Sequence, residues 1–203
     1  MRARLALLVS GIEAELREVV LRDKPDAMLA ASPKATVPVL VIDNDTVIDE
    51  SLSIMHWALE QSDPEHWLAH KDAASDLIAQ NDGPFKHSLD RYKYPDRYEN
   101  IDPFEHRRNG LVFLEKINGI IANNGQLLSA KAGIADYTIF PFVRQFANHD
   151  RSWFDTQDLP ALHIWLAGHL DSPRFAFAMQ KFPKWAPNDE PVIFMENQAV
   201  AKI

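Results

Sequence analysis

The stretch that most restricts what this chain can fold into is Ala35-Thr36-Val37-Pro38-Val39-Leu40-Val41. A proline ahead of an apolar, β-branched run has no N–H for a ladder, so it belongs at a strand's first position or on a sheet edge. With a cis bond at that proline, the preceding residue's backbone would point away from the sheet, where a peptide-like ligand can pair with it. Asp43-Asn44-Asp45 then suits a tight hairpin turn, Thr46-Val47-Ile48 a returning strand, and Asp49-Glu50-Ser51 the mouth of a helix. Acids and serine at a helix start serve either as ordinary caps or as contacts for a ligand's charged ends.

Composition narrows the partners. The chain has 203 residues, 46% hydrophobic and 25% charged, with a net charge of -8, which is ordinary for a globular protein of one large or two small domains. The acidic balance argues against nucleic acid, which needs a basic face. No apolar run is long enough to span a bilayer, so no membrane partner is expected. There are no cysteines, which rules out disulfides, thiolate metal sites and a cysteine nucleophile in this sequence and suits a reducing, cytoplasmic setting.

Met1, Leu5, Leu8, Val9 and Ile12 recur at helical spacing as one apolar face, with Gly11 as a stop. Arg2 and Arg4 in that first turn oppose the helix macrodipole. Glu15 to Leu21 alternates as a half-buried strand, Lys24 to Ala31 is a short helical connection opened by Pro25, and a helix starts at Ser51. Beyond Ser62-Asp63-Pro64 strand signals nearly vanish. Helices are expected over Ala73–Leu89, Pro103–Asn123, Ile134–Asn148, Leu159–Leu170 and Pro173–Lys181, with Phe104, Leu111, Leu114, Ile117, Ile120 and Ile121 as the core face of the longest. The Pro-rich tail from Phe182 has little periodicity and is expected to wrap the surface. This divides the chain into an α+β domain at 1–63, a linker at 64–74 and an all-α helical bundle at 75–203. His66 and His70 lack a third ligand at metal spacing, so no metal is expected.

Four segments in order make the chain resemble the glutathione S-transferase family over nearly its whole length. They are Ser32-Pro33-Lys34-Ala35-Thr36-Val37-Pro38, Glu50-Ser51, Gly133-Ile134-Ala135-Asp136 with Pro141, and Pro160, Leu162 and Trp165. The resemblance implies a thioredoxin-like N-terminal domain followed by an all-helical domain. It further implies that Val37, beside a cis Pro38, pairs its backbone with the cysteinyl part of glutathione, that Glu50 and Ser51 hold the γ-glutamyl end, and that Lys34 meets the glycyl carboxylate. Glutathione would then be the co-substrate, with no metal, and a homodimer would be in keeping with the family. Phe85 and Tyr92 would border the cleft for a second, electrophilic or disulfide substrate, and Asp136 would be a structural cap. Family members open with a strand and a loop carrying the catalytic Cys, Ser or Tyr; here Met1 falls in the first turn of the helix that follows. The expectation is a truncated thioredoxin-like domain whose first strand and thiol-activating residue are missing, through either an internal Met taken as the start or a truncated natural product. Conjugation or thiol–disulfide transfer would require that missing segment; the alternative is a binding or interaction protein without catalysis.

Overall fold

The computed structural model describes residues 1–43 and 45–195; Asn44, in the expected hairpin turn, and the end of the tail at 196–203 lie outside the described residues. Two compact units are present, one made of residues 1–65 together with the segment from Pro173, the other of residues 66–172. The boundary falls inside the expected linker. The segment from Pro173, assigned to the helical bundle from sequence, packs instead with the first unit.

The first unit contains α1 (Arg2–Ser10), β1 (Ala14–Glu15), α2 (Asp26–Ala31), β2 (Leu40–Val41), β3 (Val47–Ile48), α3 (Ser51–Gln61), α10 (Pro173–Ala178) and β4 (Ile193–Phe194). Gly11 ends α1 in the left-handed region, with φ 66°, while the Gly11 and Ile12 N–H groups return to the Leu8 and Leu7 carbonyls. The expected single apolar face of α1 is too narrow. Leu5, Leu7, Leu8, Val9 and even Arg2 are buried, because α3 and α10 both pack against this helix. Arg4, expected as an uncompensated cation, donates to Glu18 at 2.5 Å and to the Ala178 and Gln180 carbonyls.

The strand expected over Glu15–Leu21 is only two residues long, and its partner is the tail. Ala14 lies opposite Phe194 and Glu15 opposite Ile193, antiparallel. The Leu16 N–H donates to the Val192 carbonyl at 2.7 Å, and the Trp185 N–H to the Glu18 carbonyl. After Leu16 the ladder stops, leaving Val20 and Leu21 exposed. Most of 183–190 is exposed, as expected of a tail that wraps the surface, while Phe194 beyond it is buried against Phe177 and adds to a core. The hairpin β2–β3 pairs Leu40 with Ile48 and Val41 with Val47. Asp43 holds its turn by accepting from the Asp45 and Thr46 N–H groups.

The second unit is helical: α4 (Lys71–Gln80), α5 (Lys86–Lys93), α6 (Pro103–Asn124), α7 (Ile134–His149), α8 (Arg151–Phe154) and α9 (Pro160–Leu170). A π turn over Asn81–Phe85 joins α4 to α5 and contains Pro84. A wider turn suits a residue that has no N–H to donate. Asp102 caps α6 by accepting from the Phe104 N–H at 2.8 Å, and Gly125 closes it with φ 86°. Of the core face expected for α6, Leu114, Ile117 and Ile121 are buried. Phe104 is exposed, and Phe113 takes a core place.

Gly110 makes room for a ring carried by α7: a Cβ there would stand 2.5 Å from Cε2 of Phe146. That ring is itself buried against Phe85 and Tyr92. Alanine improves a helix interior over glycine by about 1 kcal/mol, whereas overpacking a tight core costs about 1–3 kcal/mol. Gly110→Ala is therefore expected to lower the thermal midpoint of the protein. A raised midpoint would mean that the ring moves aside at no cost.

Candidate functional site

The candidate site lies in the first unit, where the loop ahead of β2 meets the start of α3. The Val37–Pro38 peptide is cis. Val37 is 46% exposed, and its N–H and C=O have no hydrogen-bond partner among the described residues. The ladder begins only at Leu40, because Pro38 has no donor to extend it. What remains is a short open edge of backbone, able to pair with an extended peptide.

Glu50 is the N-cap residue of α3 with extended backbone (φ -118°, ψ 130°), and Ser51 is the first helical residue. The Glu50 carbonyl accepts from the Ile54 N–H, while no side chain caps the N-terminal N–H groups of the helix. An uncapped helix start of this kind receives a carboxylate well.

Two side-chain bonds tie the loop to the helix mouth. Ser32 Oγ donates to Asp49 Oδ2 at 3.0 Å, and Lys34 Nζ donates to Asp49 Oδ1 at 3.0 Å and to Glu50 Oε1 at 3.1 Å. The bond from Lys34, followed by that from Ser32, holds the Asp49 carboxyl below the usual carboxylate range. Reciprocally, Asp49 and then Glu50 raise Lys34. Lys34 and Glu50, expected at opposite ends of a ligand, are bonded to each other here. Asp49 and buried Ser32 form the hub. The sequence names both, Asp49 in the helix mouth and Ser32 at the head of the segment leading to Pro38, but nothing in it gives either a role in tying the two together.

The other expected positions lie in the second unit. Phe85 and Tyr92, expected to border a substrate cleft, are 1% and 3% exposed and belong to its aromatic core. The resemblance placed them at a cleft, but Phe85 at the end of the π turn and Tyr92 on α5 both pack onto Phe146. Asp136 does cap α7, accepting from the Gly133 N–H at 2.9 Å. It also accepts from the Leu127 N–H at 3.0 Å and from Trp165 Nε1 at 2.9 Å. A Cβ on Gly133 would come 3.2 Å from the Trp67 carbonyl oxygen, a tight fit for the Ser or Thr common at this cap. Among the described residues no group of three or more His, Asp or Glu side chains could hold a metal ion, and no helix is long and apolar enough to cross a membrane.

Residues 1–67 match the family described as glutathione S-transferase, N-terminal domain. No curated protein matches the chain. Among solved structures, a glutathione S-transferase from Xylella fastidiosa superposes with a TM-score of 0.73 at 18% identity, over 88% of this chain and 91% of its own. One from Rhodospirillum rubrum F11 gives 0.70 at 21%, over 90% and 87%. A glutathione transferase from Pseudomonas putida, solved with one glutathione disulfide bound per subunit, gives 0.69 at 16%, over 87% and 84%. The small α+β unit is thus thioredoxin-like and the second unit is the helical domain of the same fold: the chain is glutathione S-transferase-like, in its matched N-terminal region and in its architecture throughout.

Proposed function

We propose that this chain binds glutathione at the Val37–Pro38 edge and the mouth of α3. The observation that carries this reading is the unpaired Val37 backbone, exposed beside an uncapped helix start. Val37 pairs with the cysteinyl residue of the tripeptide, and Pro38 keeps the edge open. The γ-glutamyl carboxylate takes the N–H groups and the Ser51 hydroxyl at the start of α3, and its ammonium takes Glu50. Lys34 then exchanges part of its bond to Glu50 for the glycyl carboxylate. The ligand bound by the Pseudomonas putida relative supports the same ligand class here. A cysteine-free sequence acting in the cytoplasm, where glutathione is kept reduced, leaves glutathione as the source of the reacting thiol.

The reaction is transfer of that thiolate to an electrophile, or thiol–disulfide exchange. Binding without catalysis is the second reading, favoured by one observation: the described part of the first unit contains neither Tyr nor Cys. Fusing a family-type strand and loop, with its thiol-activating residue, ahead of Met1 and assaying conjugation and thiol transfer separates the two.

Calorimetric titration with glutathione tests the site itself. Ser51→Ala removes one hydroxyl to a charged group, worth roughly 1.5–3 kcal/mol, so a tenfold or greater rise in Kd is expected. A Kd unchanged in Ser51→Ala, or no heat from the parent at millimolar glutathione, would overturn the reading.

A further inference from the structure

The helical unit carries a pocket of about 570 Å³, within the range of small-molecule sites. Ile121 at the end of α6, Gln126 in the turn after it, Tyr137 on α7, and Ile164, Trp165 and His169 on α9 supply its walls. Gly168 also lines it, and nothing stands within 4 Å of where a Cβ on that glycine would be. The absent side chain keeps the volume open.

Three properties of the lining define what fits. First, it contains no Lys, Arg, Asp or Glu, and burial lowers the pKa of His169 to about 4, so the wall is uncharged at neutral pH. An ionic ligand would give up its hydration with no counter-charge in return. Second, the wall is apolar and fixed. Trp165 is held through Nε1 by Asp136, Tyr137 stacks on Trp67 with ring centroids 3.7 Å apart, and Ile164 at the rim is 76% exposed. Third, two lining residues each carry a buried polar atom without a partner, Gln126 Oε1 and His169 Nε2. Such atoms are rare in folded proteins and costly. Both atoms are buried where they lie, while Gln126 as a whole is half-buried and lines the pocket, which leaves its amide room to turn.

We propose that this pocket is a binding site for an uncharged aromatic molecule carrying a hydroxyl or N–H donor, of which phenol is the simplest form. The ring lies along Trp165 and Ile164, and its donor supplies the partner that Gln126 Oε1 lacks. The site involves none of the residues assigned above to glutathione, so it stands or falls independently of that reading.

Titration of the full chain with phenol, followed by amide chemical shifts, tests this directly. Shifts confined to residues 121–137 and 161–172, saturating with a Kd of about a millimolar, are expected for a ligand this small. Toluene, which has the ring without the donor, is expected to bind about tenfold more weakly, and benzoate not to saturate. Gln126→Met removes the acceptor at similar volume and should weaken phenol about tenfold. Gly168→Leu places a side chain in the open space on an exposed helix position and should abolish saturation. The dispersion of each variant's spectrum reports whether it is folded. The proposal is overturned if phenol does not saturate or shifts residues elsewhere. Toluene or benzoate matching phenol overturns it as well, as do folded variants that bind like the parent.

Discussion

Asp136→Ala is expected to destabilise the helical unit by roughly 3–5 kcal/mol, a large part of the 5–15 kcal/mol typical of a whole domain. The carboxylate is 1% exposed and accepts three hydrogen bonds, from the N–H groups of Gly133 and Leu127 and from Trp165 Nε1. Burial raises its pKa, while the three donors pull it back. Truncation strands the Leu127 N–H and Trp165 Nε1, both buried, and the part-buried Gly133 N–H, and each stranded buried donor costs about 1–3 kcal/mol. The N-cap role alone would account for only about 1 kcal/mol. Urea unfolding followed by circular dichroism distinguishes the two. A loss near 1 kcal/mol would mean that the bonds to Leu127 and Trp165 add nothing. Asp136→Asn should fall between, because Oδ1 is retained for Leu127 and Trp165 but an NH₂ group would face the Gly133 N–H.

The second large effect is a loss of stability in acid caused by His169. Its imidazole is packed among Tyr137, Phe140 and Trp165, and desolvation alone lowers its pKa from 6.5 to about 4. A base whose folded pKa is depressed is protonated first in the unfolded chain. Its contribution is therefore complete above pH 6.5, declines as the pH falls, and levels off below about 4. Over that window the loss amounts to roughly 3 kcal/mol. Asp136, with its raised pKa, runs the other way, and exposed carboxylates titrate in the same range, so the comparison must be between variants. Between pH 7.5 and pH 4 the unfolding free energy of the parent should fall by roughly 3 kcal/mol more than that of His169→Phe. Parallel pH profiles would sink the assignment.

Much of this molecule is written in short-range signals. Proline at the first helical position and glycine after the last set α6 to within a residue. Asp136 three positions beyond Gly133 marked the start of α7, and Pro38 with the acid–serine pair marked the candidate site. The features that escaped the sequence depend on residues far apart in the chain. Trp165 reaches Asp136 across 29 positions, Gly110 is required by a ring on another helix, and Lys34 turns to Asp49 and Glu50. None has a local period or a spacing rule. The tail is the plainest case: β4 is two residues long behind Pro191, too short for any alternation to register, and only its partner β1 makes it a strand. Phe85 and Tyr92 show the converse: the resemblance placed them at a cleft, and only the packing of Phe146 against both shows that they face a core.

The pairing of β4 with β1 also fixes an order of events during synthesis. Residues 66–172 separate the two parts of the first unit, and a ribosome needs on the order of ten seconds to make that much chain. Through that interval the helical unit can fold while Leu5, Leu7 and Leu8 of α1, which are buried in the finished protein, still lack α10 and the tail that carries Phe194. The first unit is begun before the helical unit and completed after it. Its nascent half is the stretch in need of shielding by a chaperone, and emergence of α10 and β4 from the exit tunnel is the step that closes its core.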